Sequence, residues 1–467
     1  MATNQEEVPL TVLMVPLPAQ GHLNQLLHLS RLIAARDIPV HYVAGEAHIR
    51  QAQTRLHGWD PSSSPSVHFH HLPTPPFTNP PPNPNSPIKF PAHLIPSLVS
   101  SMHLRQPVFE LAQRLAPTTR RLAVLYDSSL PYVVQDVPTL PNAAAYCFHS
   151  IAAFSVYSFH WEYTGKTTKL KNESSFIEQV PSAEGCFPPE FAEVMQFQHN
   201  LPKISSGDIY NTSRVIEATY LDLLANEKST GTGNIWAVGP FNPVSVSESK
   251  QFEEREACLK WLDVQSLNSV ILVSFGSTCS LSDDQISEIA EGLEKSGQRF
   301  IWVIRDADRG NIFEGDVRRA PLPEMYEERV RERGLILRDW APQLTILGHK
   351  ATGGFLTHCG WNSCMESISM GVPMVAWPMH SDQPRNAVLM TKVLGIGVEA
   401  VEWAHRDRVV PSGAVESAVK RLMASEEGVE IRKRAEELGD AVRKSVLQGG
   451  ISVKEMDSFI AHITKSD

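Results

Sequence analysis

The stretch "LMVPLPAQGHLNQLLHLSRLI", Leu13 to Ile33, decides the fold class. It opens as a short apolar run, breaks at Pro16 and Pro18, and turns through Gly21. Leu23, Leu26, Leu27 and Ile33 then recur at helical spacing. A strand, a tight turn and an amphipathic helix form the opening unit of a doubly wound α/β domain. A dinucleotide site in that unit needs a glycine triplet spaced G-x-G-x-x-G, with an acidic residue further on. Here Gly21 stands alone and the acidic partner is missing, which excludes an NAD(P)-dependent enzyme. His22 stands where the helix begins.

Working outward, apolar runs of strand length recur at 10–16, 38–44, 67–72, 121–127 and 142–148, with helix-period segments between most of them. A second series follows at 269–277, 299–304, 334–340, 353–359, 372–378 and 396–401. Strand–helix alternation predicts parallel sheets covered on both faces, and two series predict two Rossmann-like domains. The expected division is 1–240, a linker at 241–253 rich in Pro, Ser and charge, a second domain at 254–445, and a C-terminal helix at 446–467 packing back on the first domain. The proline-rich segment 72–91 forbids regular helix or central strand. It reads either as a stiff surface loop or as the wall of a substrate pocket.

The net charge of −10 argues against a nucleic-acid binder, which would carry a basic excess. Six scattered cysteines without C-x-x-C spacing fit reduced thiols in a cytosolic protein better than disulfides or structural zinc. The first residues, "MATNQEEVPL", lack a basic start and a long apolar run, so a cytoplasmic location without a membrane span is expected. Oligomeric state is not legible, and a monomer satisfies every feature.

Ligands of open α/β sheets bind beyond the carboxyl ends of the strands, so the residues there are the candidates. In the first half these are His22 and Asp127. A histidine at a helix start is expected to be held neutral by the helix dipole, ready to take a proton. An aspartate on its second nitrogen would fix the tautomer and stabilise the imidazolium. A hydrogen-bonded structural pair is the alternative on spacing alone. In the second half, Ser277 follows "VSFG", and "FLTHCGWNS" places His358, Gly360, Asn362 and Ser363 at a strand–helix junction suited to phosphate. Glu366 lies on the same helix face as Asn362 and Ser363, where it could accept from ribose hydroxyls. Trp340 and Gln343 offer a flat ring and an amide for a base. Asp382 and Gln383 follow another strand and suit sugar hydroxyls. Adjacent His358 and Cys359 point apart at a strand end, with no second ligand pair near, so no metal is expected.

Together the pieces are far more specific. "WAPQLTILGHKATGGFLTHCGWNSCMESISMGVPMVAWPMHSDQ", Trp340 to Gln383, closely resembles the signature of plant family 1 UDP-dependent glycosyltransferases along its whole length. "PAQGHLNQ" at 18–25, "CLKWLD" at 258–263 and "VSFGS" at 273–277 extend the likeness over essentially the whole chain. The resemblance implies a GT-B fold, two Rossmann-like domains facing across a cleft. The UDP-sugar would lie in the C-terminal domain and a small acceptor mainly in the N-terminal one. It implies that Trp340 stacks on uracil beside Ala341, that Gln343 helps hold the uridine, and that Glu366 takes the ribose. His358, Asn362, Ser363 and Ser277 would hold the diphosphate, while Trp361, Asp382 and Gln383 face the sugar. His22 becomes the base and Asp127 its partner in an inverting, metal-independent transfer. UDP-glucose is the implied donor, with no permanently bound cofactor and His358 helping to neutralise the departing diphosphate. "QGHLNQLLHLSRLI" and the 75–94 segment look most like the zeatin O-glycosyltransferase branch. That implies a cytokinin hydroxyl as acceptor, with flavonoid or phenolic O- or C-glucosylation as the alternative. A non-catalytic UDP-sugar or hormone-binding protein of this fold is a reading from another class, disfavoured by the presence of both His22 and Asp127. The departures from the signature are Cys364 and His380. His380 stands near the sugar, where it would either tune geometry or simply pack.

Overall fold

The opening stretch folds as its pattern demands. Strand β1 (Val8–Val15) turns into a helix at Gln20–Ala34 that buries Leu23, Leu26, Leu27 and Ile33. The structure is a computed structural model describing residues 8–55, 66–78, 80–165, 174–227, 233–244, 253–315, 317–338 and 340–465. Most of the 241–253 linker expected from the sequence lies outside these residues.

Two sheets are formed among the described residues. The first comprises β1, β2 (Val40–Gly45), β3 (Val67–Leu72), β4 (Thr119–Asp127), β5 (Ala143–His149), β6 (Ser205–Tyr210) and β7 (Ile235–Ala237), in the order β3-β2-β1-β4-β5-β6-β7. The second comprises β8 (Val270–Ser274), β9 (Arg299–Val303), β10 (Gly334–Leu337), β11 (Thr352–Thr357), β12 (Met374–Ala376) and β13 (Gly397–Glu399), in the order β10-β9-β8-β11-β12-β13. All pairings are parallel. The strand order reverses between β1 and β4 in one sheet and between β8 and β11 in the other. Ligands bind outside such reversals, because the connecting chains diverge to opposite faces and leave a crevice.

Parallel strands covered on both faces must be apolar on both. In β1, Val12 and Met14 enter one core with Leu23 and Leu26, while Leu13 and Val15 enter another with Val108 and Leu111. The helix at Ile451–Thr464 crosses back and adds Met456, Phe459 and Ile463 to the first of these cores. Phe459 is fully buried against Trp236 at 5.2 Å, a burial that stabilises by about 1.5–3 kcal/mol. Arg214 pairs with Glu455 at 2.6 Å on the same contact.

Strands β6 ("SSGDIY") and β7 ("IWA") escaped the sequence reading. Ser, Gly and Asp are poor strand formers, and tertiary contacts override that preference. The Ser205 hydroxyl accepts the Cys147 N–H at 3.0 Å, and Gly207 leaves room for the Trp236 ring, which a β-carbon would meet at 2.4 Å. The six cysteines are buried free thiols. Among the described residues no helix is long and apolar enough to cross a membrane.

Candidate active site

At the β1/β4 reversal, His22 is the third residue of the first helix and Asp127 ends β4. Nδ1 of His22 lies 2.7 Å from Oδ2 of Asp127. Asp127 is fully buried, and its Oδ1 accepts the Ser129 N–H at 3.0 Å. The His22 side chain is 26% exposed, so it is open to a reactant. A carboxylate on Nδ1 places the proton there and leaves Nε2 as the basic nitrogen. The helix start is not what dominates the proton affinity of this ring. Burial lowers the His22 pKa, but the charge and hydrogen bond of Asp127, with a smaller contribution from Asp382, outweigh it and raise it above 6.5. The carboxylate makes His22 a stronger base than free imidazole.

At the β8/β11 reversal the chain runs through Gly276 and Ser277 on one side and His358-Cys359-Gly360 on the other. The His358 ring lies against both glycines. A β-carbon on Gly276 would sit 2.5 Å from the ring, and one on Gly360 2.4 Å from its Nε2. Gly276 also has φ +74°, a conformation that side chains disfavour. Gly360 precedes the helix at Trp361–Met370, which begins without a side-chain cap. Its uncapped N–H groups and dipole suit an anion. Cys359 holds φ +62°, strained for a residue with a β-carbon, and Asn386 donates to its carbonyl at 2.8 Å. Burial pushes the His358 pKa down to about 4, and its Nδ1 has no hydrogen-bond partner among the described residues. Without a ligand the His358 ring is therefore neutral and offers an N–H, while the helix start supplies the positive field. Gly276→Ala should force the imidazole off this surface and weaken UDP binding at least tenfold, as read by calorimetry. Wild-type affinity would show that the close approach is dispensable.

Gln343, at the start of the helix Gln343–Leu347, donates from Nε2 to Ser363 Oγ at 3.0 Å and to Glu366 Oε2 at 2.8 Å. Burial raises the Glu366 carboxyl to about 7, against the lowering effect of that amide. Trp340 is 37% exposed, with the Arg55 guanidinium 4.4 Å and that of Arg305 5.1 Å from its ring centre. Both arginines pair with Asp308. Ala341 is partly buried against the core, and Ser277 lies partly exposed with its carbonyl accepting the Asp308 N–H at 2.7 Å. Arg55, Arg305 and Asp308 were not singled out from sequence, although "IRDAD" directly follows β9 at a ligand edge.

Three signature residues carry structural contacts that the resemblance does not mention. Trp361 donates its indole N–H to the Asn211 carbonyl at 2.8 Å, tying the second sheet's helix to the first unit. Asn362 donates to the Gly21 carbonyl at 2.8 Å, beside His22. Gln383 is buried, its carbonyl accepting the N–H groups of Met379 and His380 at 2.9 and 3.1 Å. Asp382 is buried, accepts from Asn386 at 2.7 Å, and is raised in pKa chiefly by burial. His380 packs: it is buried edge-on to Phe90 at 5.6 Å, with Nδ1 on Ser381 Oγ at 2.7 Å. Phe90, the penultimate residue of the 72–91 segment, thus reaches the site, meeting Phe191 at 4.6 Å as well.

Two family models divide the chain: a glycosyltransferase N-terminal domain over residues 8–243, and a UDP-glucoronosyl and UDP-glucosyl transferase over 248–429. A zeatin O-glucosyltransferase of Phaseolus lunatus is 50% identical, with each chain fully covered. The chain belongs to the plant family 1 UDP-dependent glycosyltransferases. A zeatin O-xylosyltransferase of Phaseolus vulgaris is 48% identical, again over 100% of both chains. A transferase of Siraitia grosvenorii solved with UDP aligns with a TM-score of 0.75 at 27% identity, covering 98% of this chain and 100% of that one. The fold of this transferase is GT-B. Its second sheet carries the edge that its sequence shares with enzymes using UDP-sugars, and its first sheet carries the His22–Asp127 pair.

Proposed function

We propose that this transferase moves glucose from UDP-glucose to a hydroxyl of a zeatin-type cytokinin, inverting the anomeric centre without metal and without a permanently bound cofactor. The observation that carries the reading is the His22–Asp127 pair, which adjoins the diphosphate edge through the Asn362–Gly21 hydrogen bond. His22 Nε2 takes the acceptor proton as the hydroxyl oxygen attacks the anomeric carbon, and UDP leaves from the opposite face. Asp127 stabilises the imidazolium formed, and the Trp361 helix start stabilises the departing diphosphate. In this assignment 1–240 serves the acceptor and 254–445 the donor, while the helix within 446–467 braces the first domain. Trp340 and Gln343 hold the uridine and Glu366 the ribose; Ser277, His358, Asn362 and Ser363 take the diphosphate, and Asp382 and Gln383 the sugar. The acceptor choice rests on identity to the zeatin transferases across the whole chain. The xylosyl relative favours one second reading, UDP-xylose as donor.

The test is turnover of UDP-glucose and UDP-xylose against zeatins, flavones and simple phenols, with products read by mass spectrometry before and after acid hydrolysis. An acid-labile zeatin O-glucoside is expected to form fastest. Preference for a flavone or an acid-stable product would overturn the acceptor assignment. Trp340→Ala should weaken UDP binding by about 1–3 kcal/mol, taking base–aromatic stacking as the guide, and an unchanged Kd would remove the stacking role. Ribose hydroxyls donate to an ionised Glu366, so UDP affinity should rise with pH through about 7. Glu366→Gln should bind more weakly with a flat profile, and a flat wild-type profile would contradict the assignment.

A further inference from the structure

Cys147, His149 and Asp208 form a cluster that transfer chemistry does not use. Cys147 and Asp208 are register partners on the adjacent parallel strands β5 and β6. His149 stands two residues beyond Cys147, and side chains two apart on a strand share a face. One atom from each (the Cys147 Sγ, a His149 ring nitrogen and an Asp208 carboxylate oxygen) lies within 4.8 Å of the other two. His149 Nε2 is 3.0 Å from Asp208 Oδ1. The cluster is fixed from behind. The imidazole stacks on Tyr210 with ring centres 4.5 Å apart and planes 8° apart, and the Cys147 N–H is held by Ser205 Oγ. His149 and Asp208 keep 16% and 13% side-chain exposure, which leaves an entry for an ion and for a water.

We propose that Cys147, His149 and Asp208 form a binding site for a thiophilic divalent cation of the zinc class. Sulfur, imidazole nitrogen and carboxylate oxygen are the three ligand types zinc takes, and three protein ligands with one open position are a recurrent four-coordinate arrangement. Calcium and magnesium are disfavoured, since they demand mostly oxygen ligands. Binding would release to solvent both the Cys147 thiol proton and the proton on the His149 ring nitrogen that takes the ion, because thiolate and neutral imidazole are the ligands. The site joins β5 to β6 on the sheet face opposite Asp127, whose register partner is Phe148 and not Cys147. The expectation of no metal rests on His358 and Cys359; the pair Cys147 and His149 gains its third ligand only when the chain returns 59 residues later.

The test titrates metal-stripped full-length protein with Co2+ alone, then displaces it with Zn2+. One equivalent of Co2+ should give tetrahedral visible absorption with a thiolate-to-cobalt charge-transfer band, and Zn2+ should abolish both and raise Tm. Cys147→Ala should lose the charge-transfer band and bind Zn2+ at least tenfold more weakly, and Asp208→Asn should also weaken it about tenfold. Unchanged UDP affinity in both variants, measured at the other sheet, verifies that they are folded. Zn2+ affinity within twofold of wild type in Cys147→Ala overturns the proposal. So does loss of binding in His41→Ala instead, which would place the ion on the His41–His70 pair, whose ring nitrogens lie 2.7 Å apart.

Discussion

His22→Ala is expected to lower kcat for glucosyl transfer by on the order of 10³-fold while leaving UDP affinity within twofold of wild type. The separation follows from where the residue sits. His22 belongs to the first sheet's ligand edge, whereas the groups assigned to UDP lie beyond β8, β10, β11 and β12. An acceptor hydroxyl is a weak nucleophile at neutral pH, and its attack needs proton removal in the transition state. Alanine leaves water as the base, less basic and unpositioned. Steady-state kinetics with saturating acceptor, paired with calorimetry of UDP, measure the two quantities separately. Turnover within tenfold of wild type would end the assignment of His22 as base. Loss of UDP binding would instead show that the variant disturbs the Gly21–Asn362 contact.

Asp127→Asn should cost on the order of 10²–10⁴-fold in kcat/KM and shift its pH profile, which makes it the sharper test of the pair. The sign follows from the contributions to His22. Transfer requires unprotonated Nε2, so kcat/KM rises with pH through the His22 pKa. In the wild type that pKa lies above 6.5, because Asp127 outweighs burial. Asparagine removes the charge and leaves the desolvation, so the acid limb should move to lower pH. The plateau should nonetheless fall, since a neutral amide neither stabilises the imidazolium nor enforces one tautomer. Asp127 is fully buried, so a comparison of thermal unfolding is part of the measurement. A lower plateau with an unmoved acid limb would mean that Asp127 supports the fold without tuning His22.

The pH argument also marks where sequence reasoning ran out. "PAQGH" places a histidine at a helix start, and the dipole argument then yields a neutral ring. The net effect has the opposite sign because a carboxylate 105 positions away lies 2.7 Å from it. The proton affinity of His358 is likewise set through space: without a ligand its ring, enclosed by Gly276 and Gly360, loses proton affinity to burial. Trp361 and Asn362 look like ligand contacts in the signature, and each bonds a backbone carbonyl of the other unit in this structure. Apart from Gly360, none of these partners is near in sequence, so no local pattern encodes them.

What the chain determines by itself is set by local periodicity and by contiguous motifs. The stretches "VLMV" within 10–16 and "VILV" within 269–277 are apolar at every position because both sheet faces are covered, and that can be read without a partner. The residues from Trp340 to Gln383 are recognisable because one strand–loop–helix segment after another carries them in order. Tertiary structure alone decided that "SSGDIY" is a strand, because its partners supply what its own propensities lack, and that the three residues of "IWA", too few to show a period, pair with it. It alone decided the proton affinities of His22, His358 and Glu366, which depend on desolvation and on charges reached through space. And it alone brought Cys147, His149 and Asp208 together, since the register between parallel strands is fixed by packing the sheet and leaves no trace at any single position.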